Sequence, residues 1–305
     1  MKLAVPQLSN LLDHGNFRAV RHETLRLLSL WYDRRTCGRV IDHFRLVVRL
    51  YQGKYRGYRA CNTDYHNLRH TVDVLVATVR LIDGWNLSSP EPLPTVTVLQ
   101  LCLAALYHDV GYIQEVWDTE GTGAKYTRIH VRRSVEFLVN NRDHLGIESD
   151  LLPGIGTMIM GTDLGLEWDE LTFTSVHEHE AACLLASADL MGQMADRAYL
   201  EKLLFLFYEF KEAAFPGYST AYDILRSTAG FYESTRRRMD TVLRCRYELA
   251  QPHFAKRHGL TGNLYMESIA RQIEYLQSIL NDPSTNFRQK LKRLDLEQEE
   301  ARYHA

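Results

Sequence analysis

The stretch DYHNLRHTVDVL, residues 64 to 75, sets His66 and His70 four residues apart and Asp73 three further on, among aliphatic side chains. Leu68, Val72, Leu75, Val76 and Val79 follow the three-and-four spacing of an amphipathic helix. On such a helix His66 and His70 are neighbours one turn apart, and Asp73 shares nearly the same face. A surface helix has no need of imidazoles there, and a core helix avoids them. They are either satisfied core histidines or aimed at a ligand. A neutral imidazole is a good ligand for a divalent metal, and a nearby carboxylate can accept its second N–H and fix the tautomer.

The same periodicity recurs outward from this stretch. Val131, Val135, Leu138 and Val139 form one stripe, and Ala181, Leu184, Leu185, Ala188 and Met191 another. Leu203, Leu204, Phe207 and Phe210 form a further stripe, as do Ile269, Ile273, Leu276 and Ile279. No convincing set of alternating strands accompanies them. LTFTSV (171 to 176) reads equally as a short strand or as a loop before a helix. NLSSPEPLP (86 to 94), DTEGTGAKY (118 to 126) and FPGYST (215 to 220) break the pattern. The expectation is one compact all-α domain over residues 1–305, of roughly a dozen helices, with its working part at about 40–280. The charged tail is expected to form a helix over about 283–305, a candidate contact in a homo-oligomer.

Composition excludes several classes. The chain has 305 residues, 45% hydrophobic and 24% charged, enough for a large core. A formal net charge of -2 gives no polyanion-binding surface, so no nucleic acid is expected. VLQLCLAALY (98 to 107) is too short to cross a bilayer, which takes ~20 residues, and reads as a buried helix. No signal peptide is visible in MKLAVPQLSNLL. Five scattered cysteines without a CxxC read as reduced thiols in a cytoplasmic protein.

Two further stretches carry chemistry. LAALYHDVGY (103 to 112) sets His108 and Asp109 side by side where an apolar helix ends. LLASADLMG (184 to 192) puts Asp189 inside another apolar stripe. A buried unpaired carboxylate costs several kcal/mol, so each must be paired or bound to metal. His70, His108, Asp109 and Asp189 together offer two nitrogens and two carboxylates. That mixture suits zinc, manganese, iron or magnesium with open positions for water. The alternative is a buried polar network with no ion.

The order H…HD…D resembles the HD-domain superfamily of metal-dependent phosphohydrolases. YHNLRHTVDV is similar to the YHNxxHAxDV motif of class I cyclic nucleotide phosphodiesterases, and the likeness spans roughly residues 40 to 280. MIMGTD (158 to 163) and SADL (187 to 190) resemble two later segments of that family. The resemblance implies an all-α fold, a zinc ion, and a second ion, usually magnesium or manganese. It implies cleavage of the 3′ ester of a cyclic nucleotide by a metal-activated hydroxide. His70, His108, Asp109 and Asp189 would hold the first ion, and Asp109 would bridge to the second. His66 would be the general acid that protonates the leaving oxygen; a histidine ordinarily ionises near pH 6.5, suited to that task. Tyr65 and Asn67 would line the substrate pocket, and Asp73, His130 and Asp163 would support the metal ligands or the metal waters.

The chain departs from that family at several positions. Tyr112 stands where the family has a histidine, Thr127 or Arg128 where it has a glutamate, and Ala186 where it has another histidine. Thr235 and Arg238 fall where a base-reading glutamine and an aromatic clamp belong. Of Arg236, Arg237 and Arg238, at least two are expected to be solvated. A phosphohydrolase acting on another phosphate ester is therefore the nearest rival, and a weakly catalytic nucleotide sensor the third reading.

Overall fold

The computed structural model describes residues 7–294 except 283 and 285. Its α-helices are α1 (Leu8–Leu11), α2 (Phe17–Leu28), α3 (Arg34–Tyr51), α4 (Leu68–Ser88), α5 (Thr95–Tyr107), α6 (His130–Leu145) and α7 (Leu152–Met160), followed by α8 (Val176–Met194), α9 (Tyr199–Glu212), α10 (Ala221–Asp240), α11 (Ala250–His258), α12 (Leu264–Leu280) and α13 (Phe287–Lys290). Among the described residues no strand forms; two isolated bridges, Gln52–Ala60 and Tyr58–Glu115, are the extent of β pairing. The all-α expectation is met.

α4 is the axis of the fold. Asn67, with extended backbone, accepts from the Arg69 and His70 amides through its side chain and so caps the helix. Every residue from His70 to Gly84 is buried. The sequence suggests one apolar stripe; the helix is buried all round because α2, α5, α8 and α11 pack around it. α5 is equally enclosed, as its continuous apolar run requires, and α8 packs along both α4 and α5. The apolar core they share runs without a break from Leu8 to Leu291.

Three local expectations change. LTFTSV is not a strand: a short 3-10 turn, Trp168–Glu170, leads into a loop that ends at Ser175, the N-cap of α8. Val139 is 58% exposed, because the buried face of α6 runs through Val131, Ser134, Phe137 and Leu138 instead. The tail forms only the single turn α13, and residues 291–294 are not helical. The rest of the expected helix, 295–305, lies outside the described residues. The five cysteines are unpaired thiols, with Cys37, Cys102 and Cys183 buried. No helix among the described residues is long and apolar enough to cross a membrane.

One buried histidine away from the site makes stability depend on pH. His43 on α3 is 4% exposed, and its Nδ1 lies 2.9 Å from the Tyr107 hydroxyl. Burial, aided by the Arg39 charge, pushes its pKa down to about 4. The unfolded chain takes up this proton near pH 6.5, before the folded chain does. The contribution is therefore complete above about pH 6.5 and is lost as pH falls toward 4, by about 2 kcal/mol at pH 5. Urea unfolding at pH 7.5 and pH 5 should show that loss shrinking by a similar amount in His43→Gln. An equal loss in both proteins would contradict this reading.

Candidate metal centre

Helix α5 ends at Tyr107 and delivers His108 and Asp109 to the centre of the helix packing. Asp109 sits at φ -111°, ψ 6°, in the sparsely populated bridge region, which turns its carboxylate away from the helix line. A 3-10 turn, Val110–Tyr112, then brings the chain against α6. Gly111 makes that approach feasible: a Cβ there would stand 2.0 Å from the His130 carbonyl oxygen. Two residues of the HDVG run thus place the HD pair, and a third lets it meet His130.

His70 from α4, His108 and Asp109 from the end of α5, and Asp189 from α8 converge. His70 Nε2 lies 3.3 Å from His108 Nε2, 3.3 Å from Asp109 Oδ2 and 3.1 Å from Asp189 Oδ1. His108 Nε2 lies 3.4 Å from Asp109 Oδ2 and 3.8 Å from Asp189 Oδ1. Donor atoms of His70, His108 and Asp109 all fall within 4.8 Å of one another, and Asp189 joins them through the two imidazoles. Such spacings suit groups sharing one small ion with bonds of about 2.0–2.2 Å.

His108 carries its proton where a metal ligand needs it. His108 Nδ1–H donates to the Ala105 carbonyl at 3.0 Å, which leaves Nε2 bare and facing inward. Asp109 Oδ2 is buried and without a hydrogen-bond partner. An orphaned carboxylate oxygen beside two inward imidazole nitrogens is costly unless a cation meets all three. The residues present therefore fit a divalent metal. Burial opposes a charged His70, but the Asp189 hydrogen bond and the Asp109 and Asp189 charges outweigh it and raise its pKa. Burial likewise opposes ionised Asp109, yet His108, His66, His130 and His70 together hold its carboxyl below the usual range.

His66 does not share the helix with His70. It lies in the turn before the Asn67 cap, because the cap requires extended backbone there. The two rings still come within 6.0 Å, edge to face. His66 Nδ1–H donates to Glu209 Oε2 on α9 at 2.6 Å, and the Glu209 side chain is only 2% exposed. Glu209 Oε1 accepts from the Tyr65 amide at 2.7 Å, so one carboxylate fixes both the ring and the turn. Tyr112 lies between His66 and His130, its ring centroid 4.4 Å from each and nearly parallel to both. His130 opens α6, donates Nδ1–H to the Thr127 carbonyl at 2.7 Å, and presents Nε2 3.4 Å from Asp109 Oδ1.

The remaining expected residues divide. Tyr65 is buried, lines the cavity beside the centre, and donates its hydroxyl to Gln193 Oε1 at 2.7 Å. Asp163 lines the same cavity, with Oδ1 accepting from the Gly165 amide. Asn67 does not line the cavity; its side chain is taken up by the cap and by a bond to the Asp64 carbonyl. Asp73 does not support His70: it accepts from His14 at 2.5 Å and from Arg69 at 3.2 Å. One α-helical turn separates the two, but α1 and its following loop reach Asp73 first. The centre opens onto a cavity of about 800 Å³. Glu209 and Gln193 belong to the site and escape the local motifs, and Arg128 lines the cavity. Lys125 is bound to Asp118 at 2.5 Å and is not among the cavity residues. Arg236 pairs with Asp240, Arg237 is exposed, and none of the three consecutive arginines lines the cavity.

The fold is all-α, with His70, His108, Asp109 and Asp189 meeting beside a large cavity. Residues 118–244, less than half of the chain, match the family described as Npun_R2479-like. That segment contains His130, Asp163, Asp189 and Glu209 and begins after His66, His70, His108 and Asp109. No curated protein matches the chain.

Proposed function

We propose that the chain is a metal-dependent hydrolase of phosphate esters. The observation that supports this most is the orphaned Asp109 Oδ2 among inward-facing imidazoles, opening onto a cavity that also holds a carboxylate-clamped His66. His70, His108, Asp109 and Asp189 would hold the ion, zinc by the donor set, with iron also suited and magnesium or manganese at any second site. When bound, a divalent ion supplies Lewis acidity to phosphoryl oxygens and acidifies water.

The chain's own residues account for the rest. One water oxygen joins phosphorus, the ester P–O bond breaks, and its electron pair leaves with the alkoxide oxygen, which needs a proton. His66 is the donor: Glu209 holds Nδ1, so the proton delivered comes from Nε2. Tyr112 stacks on that ring and keeps it flat against the site. His130 Nε2 stands 3.4 Å from Asp109 Oδ1, on the side of the carboxylate away from His70 and His108. The clamped acid favours catalysis over a nucleotide sensor, which has no use for a positioned proton donor. The 3′ ester of a cyclic nucleotide is one candidate substrate. The five free thiols suit a reducing compartment, and we place the protein in the cytoplasm on that basis.

Protein loaded with Zn²⁺ or Mn²⁺ should hydrolyse bis(p-nitrophenyl) phosphate, lose that activity to a chelator, and regain it with metal. Assays with cAMP and cGMP then rank nucleotide esters against simple ones. Metal-loaded protein that turns over no phosphate ester would contradict the proposal.

A further inference from the structure

The cavity beside the metal centre is far larger than a phosphoryl group, at about 800 Å³. Leu206, Phe210, Phe215, Tyr218, Ile224 and Phe231 supply apolar surface to its lining. Phe210 stacks on Phe215 at 4.8 Å and meets Tyr218 at 5.3 Å, so the wall is a continuous aromatic surface. Arg128 covers one end of it, its guanidinium 5.0 Å from the Phe215 ring centre and bonded to the Ala214 carbonyl at 2.8 Å.

The serine and threonine hydroxyls of this lining give their protons to the backbone. Thr127 donates to the Ala124 carbonyl and Thr162 to that of Ile159. Ser227 and Thr228 both donate to the Ile224 carbonyl, and Ser234 donates to that of Phe231. Each hydroxyl thus gives its one proton to backbone and shows the cavity carbon and a lone pair. Gln193 accepts the Tyr65 hydroxyl through Oε1, and Gln193 follows Asp189 by one helical turn. A base edge lying against the Ile224–Ser234 side of the cavity would meet no hydroxyl proton free to bind it. A buried edge left unpaired costs more than its ring contacts return.

We propose that the substrate's organic group is an apolar alkyl or aryl chain of at least six carbons, bound by contact with the Phe210–Phe231 wall, and not a nucleobase read by hydrogen bonds. This rests on the hydrolase reading above and names its substrate class. Each methylene buried against the wall should raise kcat/KM by ~4-fold until the wall is covered.

The test uses p-nitrophenyl alkyl phosphodiesters with methyl, butyl and hexyl groups, which share one leaving group, on protein whose metal content is measured alongside. kcat/KM should rise at least tenfold from methyl to hexyl, and the hexyl ester should exceed a p-nitrophenyl nucleoside 5′-phosphate, which has the same leaving group, by at least tenfold. Phe231→Ala should lower the hexyl-to-methyl ratio by about tenfold. Competitive inhibition by methyl- and hexylphosphonate gives the same ranking without turnover and covers a variant that folds poorly. Hydrolysis with no dependence on chain length, or a nucleotide preferred over the hexyl ester, would overturn this inference and leave the hydrolase reading standing. No hydrolysis of any ester by metal-loaded protein would overturn both.

Discussion

Replacing His66 by alanine should leave the metal bound and lower turnover by ~10²–10⁴-fold. His66 makes no contact with the ion's donor atoms closer than ring packing against His70, so the ligand set does not depend on it. The turn that carries it should survive, because Glu209 Oε1 keeps its bond to the Tyr65 amide and Thr63 keeps its bond to the residue 66 carbonyl. The loss should fall on kcat, since a proton donor acts on the departing oxygen and not on substrate binding. It should also shrink for esters with acidic leaving groups such as p-nitrophenol, which depart without a proton. Metal analysis and kinetics on two leaving groups check this, and an equal rate for alanine and histidine with a poor leaving group would remove His66 from the mechanism.

Asp109→Asn should have the larger effect on the centre itself. The carboxylate is 3% exposed, faces His70 and His108 through Oδ2, and has His130 Nε2 3.4 Å from Oδ1. Asparagine keeps the shape but removes the charge that balances two imidazoles and a cation. Outer partners of a metal ligand are worth ~10–100-fold in affinity, and an inner anionic ligand should exceed that. Metal affinity should fall by more than ~10²-fold and hydrolysis to background. Competition with a chelator of known affinity measures the first and the ester assay the second. Retention of tight metal binding would show that Asp109 is not a ligand.

The helices were legible because their apolar residues keep the helical period. The donor set was legible because a histidine or aspartate inside such a stripe stands where leucine would cost less. Asp189 and His108 were found by that reasoning, and His70 lies in the motif itself. The same reasoning misses Glu209, because the stripe read on α9 is Leu203, Leu204, Phe207 and Phe210, whereas Phe205 and Glu209 are buried there. Gln193 follows Asp189 by one turn and shares its face. Their partners could not be read from the chain, since Glu209 meets His66 across 143 residues. Asn67 shows the opposite failure: it sits inside the most informative stretch, yet its side chain serves the helix start. His66 is off the helix for the same reason, since an N-cap ends the helical backbone that the four-residue spacing suggested. Asp73 faces His14 because a segment distant in sequence packs there, which periodicity cannot convey.

Metal content decides the central claim most directly. Protein prepared without chelator, supplied with Zn²⁺ or Mn²⁺ and freed of loose ions should carry about one tightly held divalent ion per chain in wild type and His66→Ala, and far less in Asp109→Asn. A fully folded wild-type protein that holds no ion under those conditions would contradict the account.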